Sequence, residues 1–139
     1  MSEEEALQCK VVLIGETRVG KTSIIKRYTT NTFSSIFTPT SSPFYATKVD
    51  NFEEYNHSIK FEIWDTAGQQ KYRVIAKIFY KDAAVCVLVY DVSSKKSFEE
   101  LKNSWIKEVE ANASPSVSNQ YLFQIIIYFY SIGNSWKQR

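Results

Sequence analysis

Val11-Val12-Leu13-Ile14-Gly15-Glu16-Thr17-Arg18-Val19-Gly20-Lys21-Thr22-Ser23 changes character at a glycine. Before it stand four apolar residues, three of them β-branched, the mark of a short strand buried on both faces in a parallel sheet. After it, Gly15 to Thr22 fits G-x-x-x-x-G-K-[ST], and the sequence then reads as helix through about Thr29, with Ile24, Ile25 and Tyr28 on the inner face. Strand, glycine-bearing turn and helix form the context in which that pattern carries chemistry. Glycines let the backbone wrap closely around phosphate and turn successive N–H groups inward. The helix N-terminus adds the positive end of its dipole. Lys21 supplies a full positive charge to β and γ phosphates, and the Thr22 hydroxyl is a hard oxygen ligand for Mg²⁺. Gly15, Glu16, Thr17, Arg18, Val19, Gly20, Lys21, Thr22 and Ser23 are therefore the first candidate nucleotide-binding residues. The bland alternative is an ordinary strand-to-helix turn with a surface lysine.

Downstream, residues 31–43 are rich in Ser, Thr and Pro and read as loop. Residues 44–49 alternate well enough for an edge strand, 50–57 form a polar turn, and 58–64 are a second strand that closes a hairpin. A loop at 66–70 precedes helical sequence through Tyr80. Residues 83–90 form another buried apolar strand. Residues 94–112 form a helix with Phe98, Leu101, Trp105, Ile106 and Val109 at helical spacing, capped by Ser93 or Ser94. Residues 113–120 are loop and 121–130 a further apolar strand. Strands alternating with helices predict an α/β fold with an open, mostly parallel sheet and one antiparallel hairpin strand, and the pattern at 15–22 resembles that of P-loop NTPases. In such sheets the ligand sits at the carboxyl ends of the strands. Three of those ends carry polar sequence, after Ile14, Trp64 and Tyr90, so the motifs are expected to form one site.

The second motif is Trp64-Asp65-Thr66-Ala67-Gly68-Gln69. It resembles the D-x-x-G-Q switch of Ras-superfamily small GTPases, in the form found in the Rab type. The resemblance implies a GTP-binding switch that hydrolyses GTP to GDP, with Mg²⁺ as cofactor and a role in vesicle traffic. Asp65 would hold Mg²⁺, usually through a water. The Gly68 N–H would approach the γ-phosphate, and Gln69, with both donor and acceptor, would orient the attacking water as the catalytic residue. Thr40 falls where the family has its switch threonine, a Mg²⁺ ligand when the γ-phosphate is present. Phe33 matches the aromatic that stacks on the guanine edge. Tyr45, Trp64 and Phe79 match the effector surface, with core packing as the competing reading. Effectors, exchange factors and GTPase-activating proteins are the implied partners, and no arginine finger is evident in cis. Endosomal or vesicle membranes are the implied location of a protein otherwise read as cytoplasmic.

The match covers roughly residues 8–118, read as a partial G domain behind a polar tail at 1–7. Three departures stand out: Thr17 and Arg18 replace the usual small residues, Ser41-Ser42 replaces an apolar residue and Gly, and Gln70 replaces Glu. The family's next element is a strand ending in N-K-x-D, whose aspartate reads guanine. Here the apolar segment ends in Gly133-Asn134-Ser135-Trp136, in which Asn134 echoes only the first residue of that motif. The sheet is therefore expected to be incomplete at its C-terminal end, with 119–139 an aberrant apolar tail in place of the fifth strand. That tail is open to three readings: a gene-model artefact, a degenerate strand of a genuine short product, or a membrane-seeking segment. It carries no cysteine for prenylation, so no lipid anchor is expected in this chain. Uncharged as far as Trp136 and rich in aromatic and β-branched residues, it predicts low solubility.

Composition sets the outer bounds. The 139 residues suffice for one domain, and a formal charge of +2 is too small to imply nucleic acid as partner. Cys9 and Cys86 are far apart and lie in or beside apolar runs, as expected of buried free thiols in a reducing compartment. Two rivals to the switch remain: an interaction module that binds nucleotide weakly, and a phosphate-loop protein that does not distinguish GTP from ATP.

Overall fold

A computed structural model of the chain describes residues 6–35, 44–66, 78 and 80–112. Four strands and the helices between them run in the order β1 (Leu7–Ile14), α1 (Lys21–Thr30), β2 (Phe44–Phe52), a 3₁₀ turn (Glu53–Tyr55), β3 (His57–Asp65), β4 (Val85–Leu88), α2 (Lys95–Glu100), a π-helical turn (Leu101–Trp105) and α3 (Ile106–Asn112). The sheet order is β2-β3-β1-β4. β1 pairs in parallel with both β3 and β4, and β2 pairs antiparallel with β3. This is the mostly parallel α/β sheet with one antiparallel hairpin strand that the sequence predicts.

Alternation along the central strands builds a core on each face. Val12 and Ile14 of β1, with Cys86 and Leu88 of β4, point to one side and pack with Tyr80, Leu101, Trp105 and Val109. Leu13 and Val87 point to the other, where they meet Val19, Ile25, Ile63 and Val89. The apolar run at 11–14 is uninterrupted because both of its faces are covered.

Several boundaries move. The hairpin strand runs to Phe52 rather than residue 49, and the turn shrinks accordingly: Asn56 takes a left-handed φ of 50°, which closes the connection tightly. The strand expected over 83–90 spans Val85 to Leu88, with one further backbone bond to β1 at each end, from the N–H groups of Ala84 and Val89. Beyond it, the chain turns through Asp91, whose carboxylate accepts from the backbone N–H and hydroxyl of Ser93. Ser94, rather than Ser93, caps α2 and accepts from the Ser97 N–H at 3.2 Å. The single helix expected over 94–112 contains the π turn. In an unbroken α-helix residues four apart drift by about 40° around the axis. The wider π turn takes up that drift, so Leu101, Trp105 and Val109 all stay buried. Tyr28 is not an inner-face residue: it is exposed, donates to Asp50 and meets Phe61 edge-on. Phe98 is likewise exposed and leans on Tyr90. Both cysteines are free; Cys86 is buried and Cys9 half-buried. The apolar segment at 121–130 and the tail at 119–139 lie outside the described residues.

Candidate functional site

The carboxyl ends of β1, β3 and β4 meet around the loop 15–20. Gly15 opens that loop at φ 149°, and a Cβ there would lie 2.1 Å from the carbonyl oxygen of Val89. Only glycine lets the chain leave β1 so close to the backbone that follows β4. The Val89 N–H in turn donates to Ile14 O at 2.9 Å, which fixes the approach. Gly20, at φ 100° and ψ 14°, is the left-handed residue that precedes α1. Its carbonyl accepts from the Ile24 N–H, the first bond of the helix. Arg18 also has a positive φ, 65°, with its side chain exposed, as is that of Thr17. Val19 is buried in the core beneath.

Lys21 is 5% exposed. Its ammonium donates to the carbonyls of Gly15 at 2.9 Å and Glu16 at 2.7 Å. Burial pushes its pKa down to about 8, against the attraction of Asp65 and Glu16. The Thr22 hydroxyl donates to Asp65 Oδ2. Asp65 is 1% exposed, and its Oδ1 is buried with no hydrogen-bond partner among the described residues. Burial raises the Asp65 pKa despite the opposing pull of Thr22 and Lys21. The next residue, Thr66, ties β3 to β1 through a hydroxyl bond of 2.7 Å to Leu13 O.

A buried carboxylate oxygen without a donor is costly, about 1–3 kcal/mol in a typical interior. A threonine hydroxyl lies beside it and a buried ammonium nearby. Hard oxygens of this kind fit Mg²⁺, which is held by one or two protein ligands together with substrate phosphates. The loop's N-terminal helix dipole and Lys21 suit the phosphates themselves. Lys21, Thr22 and Asp65 thus converge on one place, 44 residues of sequence separating the first from the last.

The other candidate residues divide. Tyr45 and Trp64 are cross-strand partners with ring centroids 4.6 Å apart. Tyr45 is 44% exposed, while Trp64 also packs against the core and lies 5.7 Å from the Lys10 ammonium, so packing and exposure coexist in the pair. Phe33 follows α1 with its ring 43% exposed and the Arg27 guanidinium 5.9 Å from its centre. Ser23 lies in the first turn of α1, half-buried. Thr40, Gly68, Gln69 and Phe79 lie outside the described residues. One contact escapes a reading of the sequence: the indole N–H of Trp105 donates to the Glu16 carboxylate at 2.8 Å, across 89 positions. An acidic side chain inside an anion-binding loop is the signal that should prompt a search for its partner.

Comparison with known proteins agrees with this geometry. The Ras family model matches residues 10–127. The chain is 41% identical over 106 residues to Ras-related protein RabC of Dictyostelium discoideum, covering 76% of this chain and 54% of that protein. It is 41% identical over 117 residues to Ras-related protein RABG3e of Arabidopsis thaliana, covering 84% and 55%. It is 37% identical over 110 residues to human Ras-related protein Rab-22A, covering 79% and 55%. The chain spans about half the length of the curated relatives it matches. Among the described residues no helix is long and apolar enough to cross a membrane. With the phosphate loop, the strand-end aspartate and the family match in agreement, the chain belongs to the Ras family, within which these relatives are Rab proteins.

Proposed function

We propose that this chain binds guanine nucleotide with Mg²⁺ and acts as a GTP-hydrolysing switch of the Rab kind in vesicle traffic. The supporting observation is the buried Asp65 Oδ1, without a hydrogen-bond partner among the described residues, beside the Thr22 hydroxyl and close to buried Lys21. In this reading the amides of residues 15–20 and the Lys21 ammonium grip the β and γ phosphates, and Lys21 exchanges its bonds to the Gly15 and Glu16 carbonyls for phosphate oxygens. Mg²⁺, when bound, neutralises charge on the transferring phosphoryl group. Thr22 and Thr40 would hold it directly, and Asp65 through a water. Gln69 orients the attacking water, and the Gly68 N–H meets the γ-phosphate, so the segments around Thr40 and Gly68 order with GTP and relax after hydrolysis. Phe33 stacks on the guanine edge. Tyr45, Trp64 and Phe79 form the effector face.

We assign the switch to residues 8–118, flanked by the polar segment 1–7 and the apolar segment 119–139. Exchange factors, effectors and a GTPase-activating protein that supplies an arginine are the partners this reading implies, at endosomal or vesicle membranes. The test is a direct comparison of labelled GDP, GTP and ATP binding, with and without Mg²⁺. Guanine-selective, Mg²⁺-dependent binding is expected. Equal binding of ATP, or no binding, sinks the proposal. Gln69→Leu should lower the single-turnover hydrolysis rate by about 10²-fold or more; an unchanged rate removes Gln69 from its role.

A further inference from the structure

Glu16 poses a problem that its motif does not solve. It is a carboxylate in the middle of a loop built to attract phosphate, one residue after Gly15 and five before Lys21. At the separations inside such a loop, a free carboxylate opposes a phosphate by several-fold to many-fold in affinity, even at an effective dielectric near 20. The structure shows where that charge goes. The Glu16 carboxylate accepts the Trp105 indole N–H at 2.8 Å, while the backbone carbonyl of the same residue faces the Lys21 ammonium at 2.7 Å. Side chain and carbonyl of Glu16 thus have different partners, Trp105 for one and the phosphate-loop lysine for the other.

Trp105 is well placed to hold this position. It is 1% exposed, in the core with Val12, Ile14 and Leu88, and it closes the π-helical turn. π turns within helices often occur where a side chain must be aimed for function. An indole has one N–H donor and no acceptor, and here that donor is spent on the Glu16 carboxylate. We infer that Trp105 is a positioning residue for nucleotide binding: its indole N–H pins the Glu16 carboxylate against the helix and keeps that negative charge from opposing the bound phosphates. The inference rests on the nucleotide-binding reading above and adds to it a residue, in a different element, that tunes affinity without touching the ligand.

A double-mutant cycle on the full chain tests it, with a fluorescent GDP and Mg²⁺ as probe. Trp105→Phe keeps an aromatic ring in the core and removes the donor together with the second ring of the indole; it should weaken GDP binding about tenfold. Glu16→Gln in the wild-type background should tighten binding threefold at most, because the charge it removes is already held away. In the Trp105→Phe background the same Glu16→Gln change should recover about tenfold. A tryptophan with a merely structural role predicts instead that Glu16→Gln has equal effects in both backgrounds, and that result overturns the inference. Should Trp105→Phe fail to fold, Glu16→Gln alone decides. A tightening of tenfold or more would mean that the carboxylate already opposes the phosphates in the wild type, and would overturn the inference. A wild-type chain that binds no GDP defeats the underlying reading and the inference with it, an outcome distinct from binding with additive effects.

Discussion

The two ends of β3 are built on opposite terms. At its carboxyl end, Asp65 and the neighbouring Lys21 are buried charges, and one carboxylate oxygen lacks a donor among the described residues. At its amino end, the hairpin with β2 leaves Val49, Phe52 and Tyr55 facing solvent, and its polar contacts are surface ones such as Ser58 to Asn51 at 2.7 Å and Lys48 to Asp50 at 3.5 Å. Exposed contacts of that kind contribute little, about 0–1 kcal/mol each. The hairpin end is therefore held by its backbone ladder and tolerates change. The carboxyl end carries an electrostatic cost that a bound phosphate and cation would offset, and there each side chain is constrained by its neighbours.

The largest effect expected at the carboxyl end is that of Gly15→Ala. The added methyl meets the Val89 carbonyl oxygen at 2.1 Å, a backbone atom that cannot yield without moving the segment after β4. We expect a loss of about 3 kcal/mol or more, read from the urea midpoint, together with loss of nucleotide binding. An unchanged midpoint would show that the two backbones do not approach so closely.

Lys21→Met should weaken GDP binding by at least about 100-fold, since it removes the loop's only buried cation among the described residues. Its effect on the nucleotide-free chain runs the other way. Burial holds Lys21 at about 8, below its ordinary 10.5, so between those values the unfolded chain binds a proton that the folded chain has released. Stability therefore rises with pH through this window, by roughly 1 kcal/mol from pH 8 to 9. Above pH 9 the buried Cys86 acts in the opposite sense. Its thiol is pushed up to about 11 while the unfolded thiol ionises near 9.0, so stability falls as pH climbs between them. Subtracting the Lys21→Met profile from that of wild type isolates the lysine. A flat difference between pH 7 and 9 would contradict the burial of a charged ammonium.

Asp65→Asn is expected to have a smaller effect on stability, raising that of the nucleotide-free chain by about 1 kcal/mol at neutral pH, because it removes a carboxylate whose ionisation burial disfavours. The same change should abolish the Mg²⁺ dependence of GDP binding. Mg²⁺ dependence that survives in Asp65→Asn would place the cation elsewhere.

The sequence discloses these two ends unequally. That Gly15, Lys21, Thr22 and Asp65 come together could be anticipated because their motifs stand at the ends of apolar runs, and a strand buried on both faces must be apolar throughout. The hairpin could be read as an element but not in extent. Residues 50–52 are polar or exposed apolar residues that pair through their backbones, so side-chain pattern says little about where the ladder stops. Position 28 misleads because an aromatic at helical spacing fits equally a core and a surface tyrosine bonded to Asp50. The π turn and the Trp105–Glu16 bond were out of reach for a different reason. The bond joins residues 89 positions apart, and no local pattern encodes which polar group a buried indole will meet.

The smallest effect is expected at the hairpin, and it tests the contrast from the other side. Tyr55 is 70% exposed at the end of the 3₁₀ turn, far along β3 from Asp65. Tyr55→Ser should change stability by no more than about 0.5 kcal/mol and leave GDP affinity within twofold of wild type, measured by thermal melting and titration of the same preparation. The reasoning is that an exposed ring gives up little water on folding, while the turn is closed by the Asn56 N–H bond to Glu53 O at 3.1 Å, which the substitution leaves in place. Tyr45→Ala provides the graded comparison on the same strand pair: it removes a ring that packs at a tilt against Trp64 near the carboxyl end and should cost about 1 kcal/mol. If Tyr55→Ser proved as costly as Tyr45→Ala, the hairpin tip would be bearing packing energy of its own, and the division between a constrained end and a tolerant one would not hold.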